Sequence, residues 1–454
     1  MTKLQLTRSP PFSVPLRFFL TAPLFGIVAA ALIAWGGGEA IAGRWSPQVL
    51  AITHLLTLGF MAMVMIGALF QVFPVVLGVD LPWGRRLASL VHGTLTLGTA
   101  LLASGFLLPA VTWLMAMALT LLSAALLLFL ASAGVGLLRQ GGRGGMRLAV
   151  GAALIGLLVT ATLGVLLGVG YGAGFGPVSA HGLDRRWTDL HALWGLLGWA
   201  GLLVVAIAYE VVPMFQATPP YPRWMQRGLS SVLLGSLALW SLAFVGLRLG
   251  DSAEGWSLLL WAPGLVLGLA YGVFALTTLR LQLQRKRPEP DLTLLYWRLG
   301  MSCLMAGIAL GGGALALGGD PVWLMLATLL VLLGFAVSVI NGMLYKILPF
   351  LVWLHLTLIV QAQGRNRREI PPVKALLPWG TARAQLVLHL LALVLLGGAL
   401  VVPSAALSAA AASALGASFA LLGWNLLAVL RHYRAVRNGR GMPVVAKGQA
   451  GSVG

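Results

Sequence analysis

GALFQVFPVV (67–76), AIAYEVVPMF (206–215) and GMLYKILPFL (342–351) are three variants of one phrase. Each runs small residue, two residues, aromatic, polar, two apolar residues, proline. Pro74, Pro213 and Pro349 are separated by 139 and 136 residues, and each interval holds four apolar runs long enough to cross a bilayer. A period of this kind decides the architecture before any shorter motif is weighed. In membrane proteins internal repeats often surround the functional centre. The expected fold is all-α and integral to the membrane. About twelve transmembrane helices form three pseudo-symmetric four-helix units, at roughly 1–140, 141–284 and 285–454, within a single polytopic domain. The second helix of each unit lines the centre.

Composition supports a chain dissolved in lipid. Of 454 residues, 59% are hydrophobic and 9% charged, whereas soluble domains carry about 25% charged residues. Mean hydropathy is +0.93. A soluble enzyme, a disordered chain and a nucleic-acid-binding module are excluded. Apolar runs predict spans near 17–36, 48–78, 87–108, 110–137, 147–171, 189–215, 228–248, 256–279, 296–318, 321–347, 384–402 and 404–430. The stretch 348–360 either extends the tenth span or lies at the interface. The first apolar run continues to Trp35 without a convincing cleavage site, so it reads as a retained helix. A 6+6 transporter also needs twelve spans, but the repeat spacing favours 4+4+4. The lone Cys303 excludes a disulfide framework.

The net charge of +19 is a topology signal. With twelve spans, 26 of the 30 Lys and Arg residues fall on the side of the termini, and only Arg44, Arg185, Arg186 and Arg248 fall opposite. By the positive-inside rule both termini are cytoplasmic, in a bacterial-type inner membrane. Asp184 and Asp189 beside Arg185 and Arg186 suggest a local salt cluster in the outer loop.

Gln71, Glu210 and Lys346 each stand three residues before a repeat proline. Glu210 is the one acid well inside a span and Lys346 is the matching base. An unpaired charge in hydrocarbon costs roughly 2.5–3.5 kcal/mol on insertion scales. Two readings follow: a Glu210–Lys346 ion pair that fixes register, or part of a proton relay.

Of the seven histidines, His54 and His191 stand early in the second and sixth spans, at matching places near the outer face. His181 lies in the loop before His191, and His92, His355, His389 and His432 fall toward the cytoplasmic side. Neutral imidazole is the commonest protein ligand for haem iron, copper and zinc. HLLTLGF (54–60) and HALWGLLGW (191–199) carry the pairs Gly59–Phe60 and Gly198–Trp199, which suit close approach of a flat ring. Met61 and Met65 follow on one helical face as candidate thioether donors to Cu(I). The competing reading is packing, with each histidine bonded to neighbouring backbone.

Twelve spans in three quartets, a histidine early in the second span and the ending GALFQVFPVVLG resemble the catalytic subunit of heme-copper oxidases and nitric oxide reductases. HLLTLGF also resembles the NnrS-like haem- and copper-containing membrane proteins. The oxidase resemblance implies a low-spin haem ligand at His54 and a copper ligand near His191. The departures are specific. Span 228–248 lacks the family's His-His pair, span 321–347 lacks its His-x-His, and the His-Ala-His-Glu signature of the NnrS-like group is missing. No haem–copper dinuclear centre can be built on that plan, so the chain is not an oxygen reductase of the usual type.

The expected function is therefore a membrane protein of this fold binding one b-type haem, or copper, near the periplasmic face through His54 and His191. It would serve electron transfer or nitric oxide and haem–copper metabolism. The alternative is a transport or assembly factor for haem, copper or a small solute. A third reading is a structural subunit of a respiratory complex. The expected partners are the lipid bilayer and a redox partner, with no nucleic acid.

Overall fold

The computed structural model describes residues 8–41, 43–139, 145–172, 187–249, 253–287, 289–366 and 370–438. Among them there is no strand. Twelve helices are long and apolar enough to cross a membrane: α1 Ser13–Gly36, α2 Pro47–Leu77, α3 Gly84–Leu107, α4 Thr112–Arg139, α5 Gly145–Gly172, α6 Trp187–Gln216, α7 Met225–Leu247, α8 Leu259–Leu283, α9 Leu292–Ala316, α10 Pro321–Ala362, α11 Trp379–Val401 and α12 Ala405–Arg437. The stretch 348–360 extends α10 through Pro349. Helix starts use ordinary capping chemistry. Ser46 accepts from Val49 N–H ahead of Pro47, and Asp320 accepts from Val322 N–H ahead of Pro321.

The helices carrying Pro74, Pro213 and Pro349 form the centre. In their most apolar windows α2, α6 and α10 are 78%, 72% and 61% buried, against 33–50% for the other nine. The three touch one another: His54 of α2 meets His191 of α6, Phe215 of α6 meets Phe350 of α10, and the middle of α10 packs on the middles of both α2 and α6. Around them one contact pattern recurs. α3 pairs with α4, α7 with α8, and α11 with α12. At four-helix intervals α4 packs on α5, α8 on α9, and α12 on α1. Large apolar side chains that face outward, such as Leu97, Leu127, Leu265 and Val394, meet the lipid.

Each central helix also changes its winding at a matching place, and α2 does so a second time at Phe73–Leu77. Leu55–Ala62, Trp194–Gly201 and Leu330–Val337 are π-helical, eight residues apiece. From Leu55 to Pro74, from Trp194 to Pro213 and from Leu330 to Pro349 the separation is nineteen residues in each case. π-Segments are rare and concentrate at functional places, because the wider turn leaves carbonyls for other donors. Tyr271 Oη donates to the Leu197 carbonyl in this way, and Ser338 Oγ to that of Leu333. Each of these three π-segments holds a Gly–aromatic pair, and Gly334–Phe335 is the third member beside Gly59–Phe60 and Gly198–Trp199. The missing side chain lets the preceding helix close in. A Cβ on Gly59 would strike Phe25 of α1, and one on Gly334 would strike Cys303 of α9. On α5, a Cβ at Gly156 would overlap the Gly198 carbonyl oxygen. Cys303 is thus a packing residue.

Candidate functional site

His54 and His191 come together. Their ring centroids lie 6.2 Å apart, with 23° between the ring planes. His54 Nδ1–H donates to the Leu50 carbonyl at 2.7 Å, one turn back on its own helix. His191 Nδ1–H donates to the Thr160 carbonyl of α5 at 3.1 Å. With Nδ1 so engaged, each Nε2 keeps a lone pair, and neither Nε2 makes a hydrogen bond among the described residues. Gly164 makes the room: a Cβ there would lie 3.0 Å from His191 Cε1. Phe106 flanks His54, centroids 5.2 Å apart.

The two residues are not register equivalents, contrary to the sequence reading. His54 stands twenty residues before Pro74, and His191 twenty-two before Pro213. The offset shows in their anchoring, since one ring bonds back to its own helix and the other across to a neighbour.

Both rings border a cavity of about 1420 Å³ on the side away from the Arg-rich loops. Its walls are almost wholly apolar and come from helices along the chain from α1 to α12. Four polar side chains close one edge near the site. Arg44 pairs with Asp189, Trp45 Nε1 donates to Thr188 Oγ1 at 3.0 Å, and the Arg44 guanidinium lies 4.8 Å from the Trp45 ring centroid. Asp189 therefore ties the sixth span to the segment before the second. The expected cluster with Asp184, Arg185 and Arg186 lies outside the described residues, as does His181. This latch went unread because its halves are 145 residues apart.

Met61 lines the cavity that His54 lines, while Met65 is buried in the packed core away from it. The remaining histidines do not converge. His92 Nε2 bonds Thr21 Oγ1, His355 bonds the Leu351 carbonyl, His432 the Leu376 carbonyl, and His389 Nε2 bonds Ser338. Among the described residues no group of three or more His, Cys, Asp or Glu side chains could hold a metal ion.

The expected Glu210–Lys346 pair is replaced. Lys346 Nζ donates to Asp291 Oδ2 at 2.9 Å, both side chains about one-fifth exposed. Asp291 Oδ1 meanwhile caps α9 through Leu294 N–H at 2.9 Å. Register matching pointed to Glu210, but the nearer acid is the cap residue of the helix packed beside Lys346. Asp291→Ala removes a cap, about 1 kcal/mol, and strands a half-buried ammonium, a change that costs about 3 kcal/mol or more when the pair is buried. Allowing for the residual exposure, denaturant unfolding in detergent should show a loss of about 2–3 kcal/mol. Asp291→Asn, which keeps the cap, should lose less.

The separation of the two rings can be set against that of two imidazoles sharing one metal. A metal–imidazole bond is about 2.0–2.1 Å and a ring nitrogen lies ~1.2 Å from its centroid, so two imidazoles sharing one metal in line have centroids roughly 6.4 Å apart. The observed 6.2 Å agrees. The anchored Nδ1 atoms supply the outer-shell support that metal-ligating histidines ordinarily have. No family model matches this chain. A comparison with curated proteins also finds no match.

Proposed function

We propose that this chain is an inner-membrane protein of heme-copper-oxidase-like architecture that holds one b-type haem, or a copper ion, between His54 and His191. Three related quartets would enclose the shared axis. The triple recurrence of π-segment, Gly–aromatic pair and proline supports that arrangement, as does the closed ring of α4 on α5, α8 on α9 and α12 on α1. The Arg and Lys distribution supports cytoplasmic termini, and hence a periplasmic-side site. The observation that carries the reading is the His54–His191 juxtaposition, with both Nδ1 atoms held by backbone carbonyls.

A haem bound there supplies one-electron chemistry. Were His54 and His191 both to hold the iron, the group would suit electron transfer better than catalysis on a substrate. The chain's own groups do the rest. His54 and His191 hold and orient, Gly164 leaves space, and the apolar walls exclude water and set a low dielectric. A role in nitric oxide or haem–copper metabolism follows from the resemblance alone. A redox partner or a respiratory complex would receive the electron.

The cavity's size favours one second reading. Ligand pockets are typically about 300–1,000 Å³, and 1420 Å³ exceeds that. A carrier or assembly factor for haem, copper or a small solute has use for the extra room. Haem and metal quantitation of the purified protein separates the readings. One equivalent of haem or copper per chain is expected. Substoichiometric, readily removed cofactor transfers support to the carrier, and no cofactor at all overturns the first reading and leaves the carrier only a small solute.

A further inference from the structure

A cleft of about 230 Å³ lies between α1 and α12 on the Arg-rich side, apart from the two-imidazole site. Leu20 of α1 and Leu427 and Leu430 of α12 form its apolar floor, and Arg431 and Arg434 form its rim. The two arginines stand three residues apart and so share one helix face. The helices are locked together beneath them. A Cβ on Gly26 would strike Phe419, and one on Gly423 would lie 3.6 Å from Pro23. The seam is therefore closed, and the cleft is a groove on its outward side. Exposed Leu24 on α1 and exposed Trp424 on α12 continue that apolar surface toward the middle of the bilayer.

Helix length sets the depth of the rim. α12 starts at its cap residue Ser404, and at 1.5 Å per residue Arg431 stands about 40 Å along it. A bilayer with its headgroups is about 40–45 Å thick, of which about 30 Å is hydrocarbon. The rim therefore lies at the level of the lipid phosphates. Neither guanidinium has a carboxylate. Among the described residues the side chains of Arg431 and Arg434 make no hydrogen bond and no ion pair, whereas Arg8 pairs with Asp80, Arg17 donates to Ser89, and Arg365 donates to the Val436 carbonyl. The Arg431 guanidinium lies 4.5 Å from the centroid of the Trp424 ring. Trp424 is two turns nearer the middle of the bilayer, so the Arg431 side chain runs back toward hydrocarbon. An arginine without a partner at a helix end ordinarily turns the other way, to water. Stacking covers one face of the guanidinium and leaves its in-plane N–H groups free, the geometry that takes a phosphate by two parallel hydrogen bonds.

We propose that this cleft binds one anionic phospholipid of the phosphatidylglycerol class, from the leaflet on the Arg-rich side. Its phosphodiester sits between Arg431 and Arg434, and an acyl chain follows Leu20 and Leu427 toward Leu24 and Trp424. Charge decides the occupant. Two cations without counter-ions above an apolar floor suit a negative charge attached to a hydrocarbon chain. A free phosphate lacks the chain, and a zwitterionic lipid carries its own ammonium. The bound lipid bridges the first and last spans, where α12 packs on α1. The cleft shares no wall residue with the cavity of His54 and His191, so lipid binding and cofactor binding stand or fall separately.

The test is native mass spectrometry of the purified full chain, delipidated in detergent and titrated with dioleoyl-phosphatidylglycerol, dioleoyl-phosphatidylethanolamine or inorganic phosphate. The first phosphatidylglycerol should bind roughly tenfold or more tighter than phosphatidylethanolamine, and inorganic phosphate should not displace it. Arg431→Gln combined with Arg434→Gln should bring phosphatidylglycerol down to the affinity of phosphatidylethanolamine. Both side chains are exposed and lack protein counter-ions, so this variant should fold, and its melting temperature without lipid reports that. Arg85→Gln combined with Arg86→Gln removes the same charge from the exposed start of α3 and should keep the preference. A general attraction between a basic surface and anionic lipid would be weakened equally by both pairs. Equal affinity for the two lipids, displacement by inorganic phosphate, a preference that survives in the Arg431 and Arg434 variant, or one lost equally in the Arg85 and Arg86 variant overturns the proposal.

Discussion

Purified His54→Ala and His191→Ala proteins should each lose the bound cofactor, with affinity down by more than the roughly 10–100-fold that changes in outer-shell partners cost. Each ring has its Nδ1 committed to a carbonyl and one nitrogen left for a ligand. Neither helix is held in place by these rings alone. α2 is capped by Ser46 and buried along its length, and α6 packs on α5 around Gly198. The variants should therefore fold, so that cofactor loss is read separately from unfolding. His92→Ala and His355→Ala, which alter rings far from the pair, should retain full occupancy.

Gly156→Ala should damage both stability and the site. The added Cβ would overlap the carbonyl oxygen of Gly198, and neither partner is a flexible side chain that can swing away. Overpacking costs about 1–3 kcal/mol, and a backbone-to-backbone clash belongs at the upper end. The strain reaches His191 directly. Thr160 is one turn along α5 from Gly156, its Oγ1 donates to the Gly156 carbonyl at 2.7 Å, and its own carbonyl holds the His191 ring. Thermal unfolding in detergent should shift downward, and cofactor retention should fall about tenfold, at the scale of an outer-shell loss. Gly151→Ala on the same helix meets nothing within 4 Å and should be silent in both assays.

The sequence shows the scaffold because its signal is hydropathy, and lipid enforces hydropathy residue by residue. The spans, the repeat prolines and the central place of α2, α6 and α10 could all be read before any coordinates. The π-segments could not. Their residues are apolar on every side, so a change from 3.6 residues per turn leaves no mark on the pattern. Gly334–Phe335 was within reach by counting fifteen residues back from Pro349, as Gly59 and Gly198 stand from Pro74 and Pro213. The Lys346 partner was misread because Asp291 lies just outside a span, where a cap and a counter-ion are the same carboxylate. His54 and His191 were found through chemistry, as imidazoles early in central spans, although their registers differ by two residues.

The most direct check on two imidazoles sharing one group is the absorption spectrum of the dithionite-reduced protein before and after carbon monoxide. The account predicts one b-type haem per chain with a spectrum that carbon monoxide leaves unmoved, because both axial positions are filled by His54 and His191. A Soret band that shifts with carbon monoxide, or a haem spectrum that survives in His54→Ala and His191→Ala alike, would contradict it.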